Sequence, residues 1–248
     1  MSALYLLFLR RDLPRAESLA HWHGPHGSKV AAIPGIWEYR QHEFAVDSRG
    51  LWAPTPGVET AIDPQWRVDG TPEVTFGNIV GPVAGLPASV PVLLDEHNAF
   101  DRTLFYLTGP GGGRWLRDGL DDQSGARTVV LLRRRPGVAA QAFHAFLDDF
   151  GRRLAAIPDL AEIRTQEYLP WSALLWPSPG VAHDNPPERQ YHASFVLGAI
   201  DRPTLVAALS APTIRAAGYL QQQNCSAIHA YDVTRTSVKR RNDRPVPL

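Results

Sequence analysis

One segment of the chain recurs without a gap 124 positions later. Residues 31–43 (AAIPGIWEYRQHE) and 155–167 (AAIPDLAEIRTQE) share 7 of their 13 positions. The same offset lays the apolar run 4–9 and Arg10-Arg11 over residues 128–132 and Arg134-Arg135. The match covers a strand, a helix and a second strand, so the chain reads as two copies of one folding unit. Both halves must then fold on one plan, and any position where the copies differ becomes informative.

The 248 residues divide accordingly into a unit at 1–109, a linker at 110–126, a second unit at 127–236 and a tail at 237–248. Each unit is long enough to bury its own core. The glycine-rich stretch 109–113 introduces the linker, and the basic, proline-containing tail is expected to be poorly ordered. Hydrophobic residues at 44% fit a globular protein, and 25 basic side chains balance 25 acidic ones. Without a net field, neither nucleic acid nor an anionic membrane is an expected partner. The N-terminal apolar run is too short to span a bilayer, and its arginines follow it, whereas a signal peptide carries them in front. The single cysteine, Cys225, excludes an internal disulfide and points to a reducing, cytoplasmic setting.

Within the first unit, alternation and Pro/Gly punctuation predict strands at 4–10, 36–44, 67–76 and 102–108, with helices at 14–32 and 79–86. The second unit repeats the order, with strands near 128–134, 160–168, 190–197 and 225–233 and helices near 138–156 and 203–217. The pattern β-α-β-β-α-β is that of a ferredoxin-like sandwich, with both helices on one face of an antiparallel sheet. Two fused copies can cover each other's bare faces. The expected fold is therefore α+β: two tandem ferredoxin-like units whose antiparallel sheets pack as an internal pseudo-dimeric α+β barrel.

The second copy calibrates the first helix. Phe143, Phe146, Leu147, Phe150, Leu154 and Ile157 form a stripe at helical spacing that should lie on the sheet. Their counterparts are Leu19, Trp22, His23, His26, Val30 and Ile33, so two histidines stand where the sister copy has Leu147 and Phe150. A buried imidazole needs hydrogen-bond partners, and a polar cavity under the first helix would supply them. His21 falls off the stripe and is expected at the surface. Along the next strand Trp37, Tyr39 and Gln41 share one face by alternation, and Ile163 replaces Tyr39 in the sister copy. Glu38 and Arg40, repeated as Glu162 and Arg164, read as scaffold ion pairs. Asp95, Glu96 and His97 read as capping residues on a solvated surface.

The run Trp22-His23-Gly24-Pro25-His26-Gly27, then Ile33-Pro34-Gly35 and Tyr39-Arg40-Gln41, resembles the EthD-type pattern of dimeric α+β barrel proteins. Asp69-Gly70, Glu73, Phe76, Asp95-Glu96 and Phe100 extend the likeness over the first unit. Ser28 departs from the proline usual after the motif's His-Gly, and the second unit lacks the motif histidine. The resemblance implies a cofactor-free enzyme of dehydratase, cyclase, isomerase or anthrone-type oxygenase character, acting on a hydrophobic polyketide-like, aromatic or lactone substrate. In that reading His26 is the general acid/base and Tyr39 orients or polarises a carbonyl. Trp22, His23, Trp37, Gln41 and Trp52 line the substrate, aromatic walls being suited to a planar apolar ligand. A non-catalytic binding protein for a hydrophobic metabolite is the alternative. Neither a phosphate-binding glycine loop nor a Ser-His-Asp signature is present. Metal ligation by His23 and His26 with Asp95 or Glu96, or haem ligation by one histidine, is a minor reading, and no cofactor is expected. The tandem chain could itself form a homodimer.

Overall fold

A computed structural model of the chain describes residues 1–120, 124–241 and 244–245. In the first half β1 (Ser2–Leu9) leads into α1 (Arg15–His21), a wider π turn (Trp22–His26) and α2 (Gly27–Ala31). Then come β2 (Ile36–Phe44), β3 (Gly70–Phe76), α3 (Gly81–Ala84), α4 (Leu86–Leu93) and β4 (Phe100–Asp118). The second half runs β5 (Ala126–Arg134), α5 (Ala140–Ala155), β6 (Glu162–Tyr168), β7 (Ala193–Ala199) and α6 (Arg202–Leu209). It ends with α7 (Pro212–Ala216), α8 (Gly218–Asn224) and β8 (Cys225–Arg241), to which a short β9 (Arg244–Pro245) is added.

The strands pair in the order β2-β3-β1-β4-β6-β7-β5-β8, and β2 pairs again with β8, closing an antiparallel eight-stranded barrel. Two long strands make the closure. β4 pairs with β1 through its first half and with β6 through its second, and β8 pairs with β5 and then β2. Two expectations are corrected here. Residues 110–118, read as linker, are strand, because the glycines at 109–113 sit in a register shift within the β4–β6 pairing and need not end the strand. Residues 237–241, read as the start of a loose tail, complete the barrel against β2. Residues 121–123 of the expected linker, and 242, 243 and 246–248 of the tail, lie outside the described residues.

Strand alternation sorts the side chains into layers. Leu4, Leu6 and Phe8 of β1 face the barrel interior with Val129 and Leu131 of β5, Tyr106, Tyr168 and Tyr231. The inward residues of β5 therefore lie one position beyond the 124-residue offset, a slip that apolar composition alone does not reveal. The other end of the interior is ionic. Arg164 meets Glu38 at 2.7 Å and Glu162 at 2.9 Å, Arg40 meets Glu38 at 2.9 Å, and Arg127 meets Glu162 at 2.7 Å. The repeated Glu-x-Arg pairs thus bond to each other across the barrel, where removing one partner would leave a buried charge uncompensated. Outside the barrel, α1, α2 and α4 cover the first half and α5–α8 the second, each over its own apolar layer. Among the described residues no helix is long and apolar enough to cross a membrane.

Candidate active site

The site lies between β1–β3 and the helices of the first half. Because Glu38, Arg40 and His42 turn into the barrel, alternation sends Tyr39 and Gln41 outward to meet the first helix. That helix widens by one residue at Trp22–His26, where Gly27 N–H bonds to Trp22 O. Pro25 has no N–H to give the helix, and the wider turn carries His23 and His26 onto the sheet side. Gly27 follows from the same close approach. A Cβ there would stand 2.8 Å from Gln41 Nε2 and 2.9 Å from Trp22 O.

His26 is 4% exposed, and its Nδ1 lies 3.0 Å from Asp95 Oδ2. Asp95 also meets His21 Nε2 at 3.0 Å, Lys29 Nζ at 2.5 Å and Asn98 Nδ2 at 3.2 Å. The bond from His26, helped by Lys29 and His21 against the effect of burial, holds the Asp95 carboxyl far below the usual carboxylate range. An ionised carboxylate can only accept, so the proton of a neutral His26 sits on Nδ1 and Nε2 is left as the base. The ring of Phe100 stands edge-on to the imidazole, 5.3 Å between centroids.

Tyr39 is fully buried, and burial pushes its hydroxyl above the usual phenol range even though Gln41 and Trp22 pull it back. Gln41 Nε2 donates to the Tyr39 hydroxyl at 2.8 Å and to Trp22 O at 3.0 Å. Gln41 Oε1 in turn faces His23 Nδ1 at 3.0 Å, and His23 Nε2 faces Glu43 at 3.2 Å. The chain Glu43, His23, Gln41, Tyr39 fixes the phenol by its acceptor side, so its own proton can be donated to a bound molecule.

His26, Tyr39, Glu96, Tyr5, Val30, Val74 and Trp176 line a cleft with about 10 Å³ of free volume. Next to it is an apolar chamber of about 230 Å³, walled among others by Ile33, Ile36, Phe76, Leu86, Phe105 and Trp176. Polar chemistry is therefore concentrated at the inner end of an apolar space, as in sites that orient a hydrophobic molecule by a few polar groups.

The structure separates the expected site residues. His26 and Tyr39 share the cleft. Trp22 is buried and stacks on His23 at 4.8 Å, and with Gln41 these two hold Tyr39 in place from outside the cleft lining. Trp37 is elsewhere: the β2–β3 pairing slips between Ile36 and Glu38, and its ring packs on Trp115 at 5.2 Å. Trp52 is also elsewhere, since the loop after β2 crosses to the second half, where its indole meets Phe150 at 5.9 Å and donates to Gln221. His21 is not a surface bystander but a partner of Asp95. Asp95 and Glu96, read as solvated caps, are 6% and 2% exposed, and only His97 of that trio is exposed. Glu96 accepts from Trp176 Nε1 and Ser178 Oγ, both at 2.7 Å, and burial raises its carboxyl against those bonds. His23 and His26 turn to different partners, and among the described residues no three His, Cys, Asp or Glu side chains converge on a metal position. Sequence reasoning does not find Tyr5, Glu96 and Trp176 as lining residues. For Trp176 a signal exists, since Leu175-Trp176 repeats Leu51-Trp52 at the common offset.

No protein-family profile matches the chain, and no curated protein matches it in sequence. Solved structures do resemble it in fold. A protein of Fusobacterium nucleatum provisionally named a monooxygenase superposes with a TM-score of 0.58 at 7% identity, covering 100% of this chain and 97% of its own. A provisionally named monooxygenase of Lactobacillus acidophilus gives 0.56 at 7% identity, covering 100% and 98%. An anthrone oxidase-like protein gives 0.55 at 14% identity, covering 100% and 96%. At such identities the likeness is one of fold, and it spans the whole of this chain.

Proposed function

We propose that the chain is an enzyme that removes a proton from an apolar, planar small molecule at a carbon made acidic by a carbonyl, either adjacent to it or conjugated with it through an aromatic ring. The observation that carries this reading is the pairing of His26, oriented by Asp95, with the Tyr39 hydroxyl in one cleft at the end of an apolar chamber. His26 Nε2 takes the proton, and the Tyr39 O–H donates to the oxygen on which the enolate charge develops. Asp95 stays ionised and stabilises the imidazolium that forms. The fate of the enolate depends on the substrate: a β-hydroxyl leaves in a dehydration, an internal electrophile closes a ring, reprotonation at another carbon isomerises, and dioxygen oxygenates. The names of the fold neighbours favour the last. None of the proton steps calls for a metal or an organic cofactor.

The same reading takes residues 1–109 and 127–236 as tandem copies joined as an internal pseudo-dimer, the first active and the second a structural partner. Supporting it, the reciprocal ion pairs Arg164–Glu38 and Arg40–Glu162 join equivalent positions, and Phe150 occupies the place of His26 within an apolar cluster.

The test is hydrogen exchange on anthrone, a tricyclic ketone with an acidic methylene. Incubated in heavy water without oxygen, wild-type protein should speed exchange of that methylene, followed by proton NMR, and His26→Phe should not. Saturable binding with no acceleration by the wild type would discard the enzyme and leave a binding protein for hydrophobic metabolites.

A further inference from the structure

The apolar chamber and the catalytic cleft share four lining residues: Tyr5, Val30, Val74 and Trp176. Three of these are fixed on β1, α2 and β3. Trp176 alone lies on a connecting segment, directly after the short 3-10 turn Ala173–Leu175, whose Leu174 is 86% exposed. Its indole stacks on Phe105 at 5.5 Å and meets Tyr5 edge-on at 5.2 Å. Its N–H is held by Glu96 Oε1. His26 and Tyr39 line the cleft and not the chamber, and a cleft of about 10 Å³ holds roughly one water. With the indole in place, a molecule in the chamber stops short of the base.

Resting on the proposed proton-abstracting function, we infer that Trp176 is a gate and Glu96 its latch. The head of the substrate displaces the indole, and the vacated Glu96 Oε1 accepts a hydrogen bond from a hydroxyl on the substrate. The substrate class is thereby narrowed to apolar ring systems that carry a phenol or enol hydroxyl at the end entering the cleft. The selection comes from burial. Once Trp176 moves, Glu96 Oε1 loses the indole donor while Ser178 stays on the other oxygen, and a ligand that brings no donor of its own does not replace that bond at a buried acceptor, which is costly. Burial already raises the Glu96 carboxyl with both bonds present, consistent with a group that gains from a replacement donor. The sister copy lacks this arrangement. Trp52, the counterpart of Trp176, is tied to the neutral amide of Gln221 and faces Phe150.

Two probes of equal ring size separate the idea from its alternatives: 1-naphthol and 1-methoxynaphthalene, which differ in the hydroxyl proton. Stopped-flow and equilibrium titration of wild-type protein should show 1-naphthol binding at least tenfold tighter. Trp176→Phe keeps an aromatic ring but loses the latch, and should raise the association rate of both probes several-fold. Glu96→Gln retains an acceptor and should keep the naphthol preference, while Glu96→Leu should abolish it. Equal affinities in the wild type, an unchanged association rate in Trp176→Phe, or no binding of either probe to both proteins would overturn the gate. Anthrone exchange by the wild type with no naphthol preference removes the gate and keeps the base, whereas a naphthol preference with no anthrone exchange in either the wild type or Glu96→Leu, in which no acceptor is left to satisfy, removes the base and keeps the gate.

Discussion

The indole of Trp52 stands edge-on to the ring of Phe150, 5.9 Å between centroids, although the two belong to different halves of the chain. The residues 124 positions from each are Trp176 and His26, and these line one cleft in the opposite half. Each half therefore sends a tryptophan across to the other, but only one of the two shares a cleft with a histidine. Trp52 is 4% exposed in an apolar layer. Trp52→Ala should cost about 3–5 kcal/mol of stability and leave anthrone exchange unchanged below the melting range. Urea unfolding read beside the exchange rate checks both, and a fall in exchange by folded Trp52→Ala would return this residue to the site.

His26→Phe places at this position the residue found 124 positions later, Phe150. The variant loses a hydrogen bond to a carboxylate, worth about 1.5–3 kcal/mol, and gains apolar burial of about the same size. Asp95 retains His21, Lys29 and Asn98. Stability should change little while proton abstraction falls about a hundredfold to ten-thousandfold. A folded His26→Phe protein with wild-type exchange would show that another group is the base.

Tyr39→Phe removes one hydroxyl from a packed position and leaves Gln41 Nε2 bonded to Trp22 O. Fold and ligand affinity should persist, with proton abstraction slowed about a hundredfold if the phenol stabilises the enolate oxygen. Gln41→Leu, which frees Tyr39 from its donor without touching the cleft lining, should give a smaller loss. The ranking of the two exchange rates is the measurement, and equal, wild-type rates in both would remove Tyr39 from the chemistry.

The first helix is legible in the sequence because the recurrence at 124 positions calibrates it: Phe150 marks the buried face, and His26 stands on that face. Alternation along residues 36–44 places Tyr39 and Gln41 together, and fails at Trp37, where a register slip intervenes. Such slips leave no periodic trace. The destination of a long loop is equally non-local, so sequence alone assigns Trp52 to the half in which it is encoded and overlooks Trp176 for the same reason. Asp95 and Glu96 pass for solvated caps because acidic residues before a strand usually are. Their burial depends on partners 66 to 82 positions away, among them Lys29, His26 and Ser178.

Acid should weaken the fold in two stages with different causes. Burial, aided by Arg134 and Arg133, lowers His192 to about 4, against about 6.5 in an unfolded chain. Between those values the unfolded state binds a proton that the native state does not, so stability falls as pH drops from about 6.5 to 4. His42, lowered by its burial, acts in the same direction. Glu73 supplies the second stage. Burial alone would raise it, but Arg164, His42 and Arg40 outweigh burial and bring it to about 2. Its contribution is complete above the ordinary carboxylate value of about 4.5 and is lost as pH falls toward 2. Urea unfolding at pH 7, 5, 4 and 3 should show a decline across the whole series. His192→Asn, which keeps an acceptor for the Arg134 amide, should flatten the part between pH 6.5 and 4 without removing the share of His42, and should leave the steeper loss below pH 4.5 intact. A wild-type protein equally stable at pH 7 and pH 4 would contradict the buried, neutral state of these histidines.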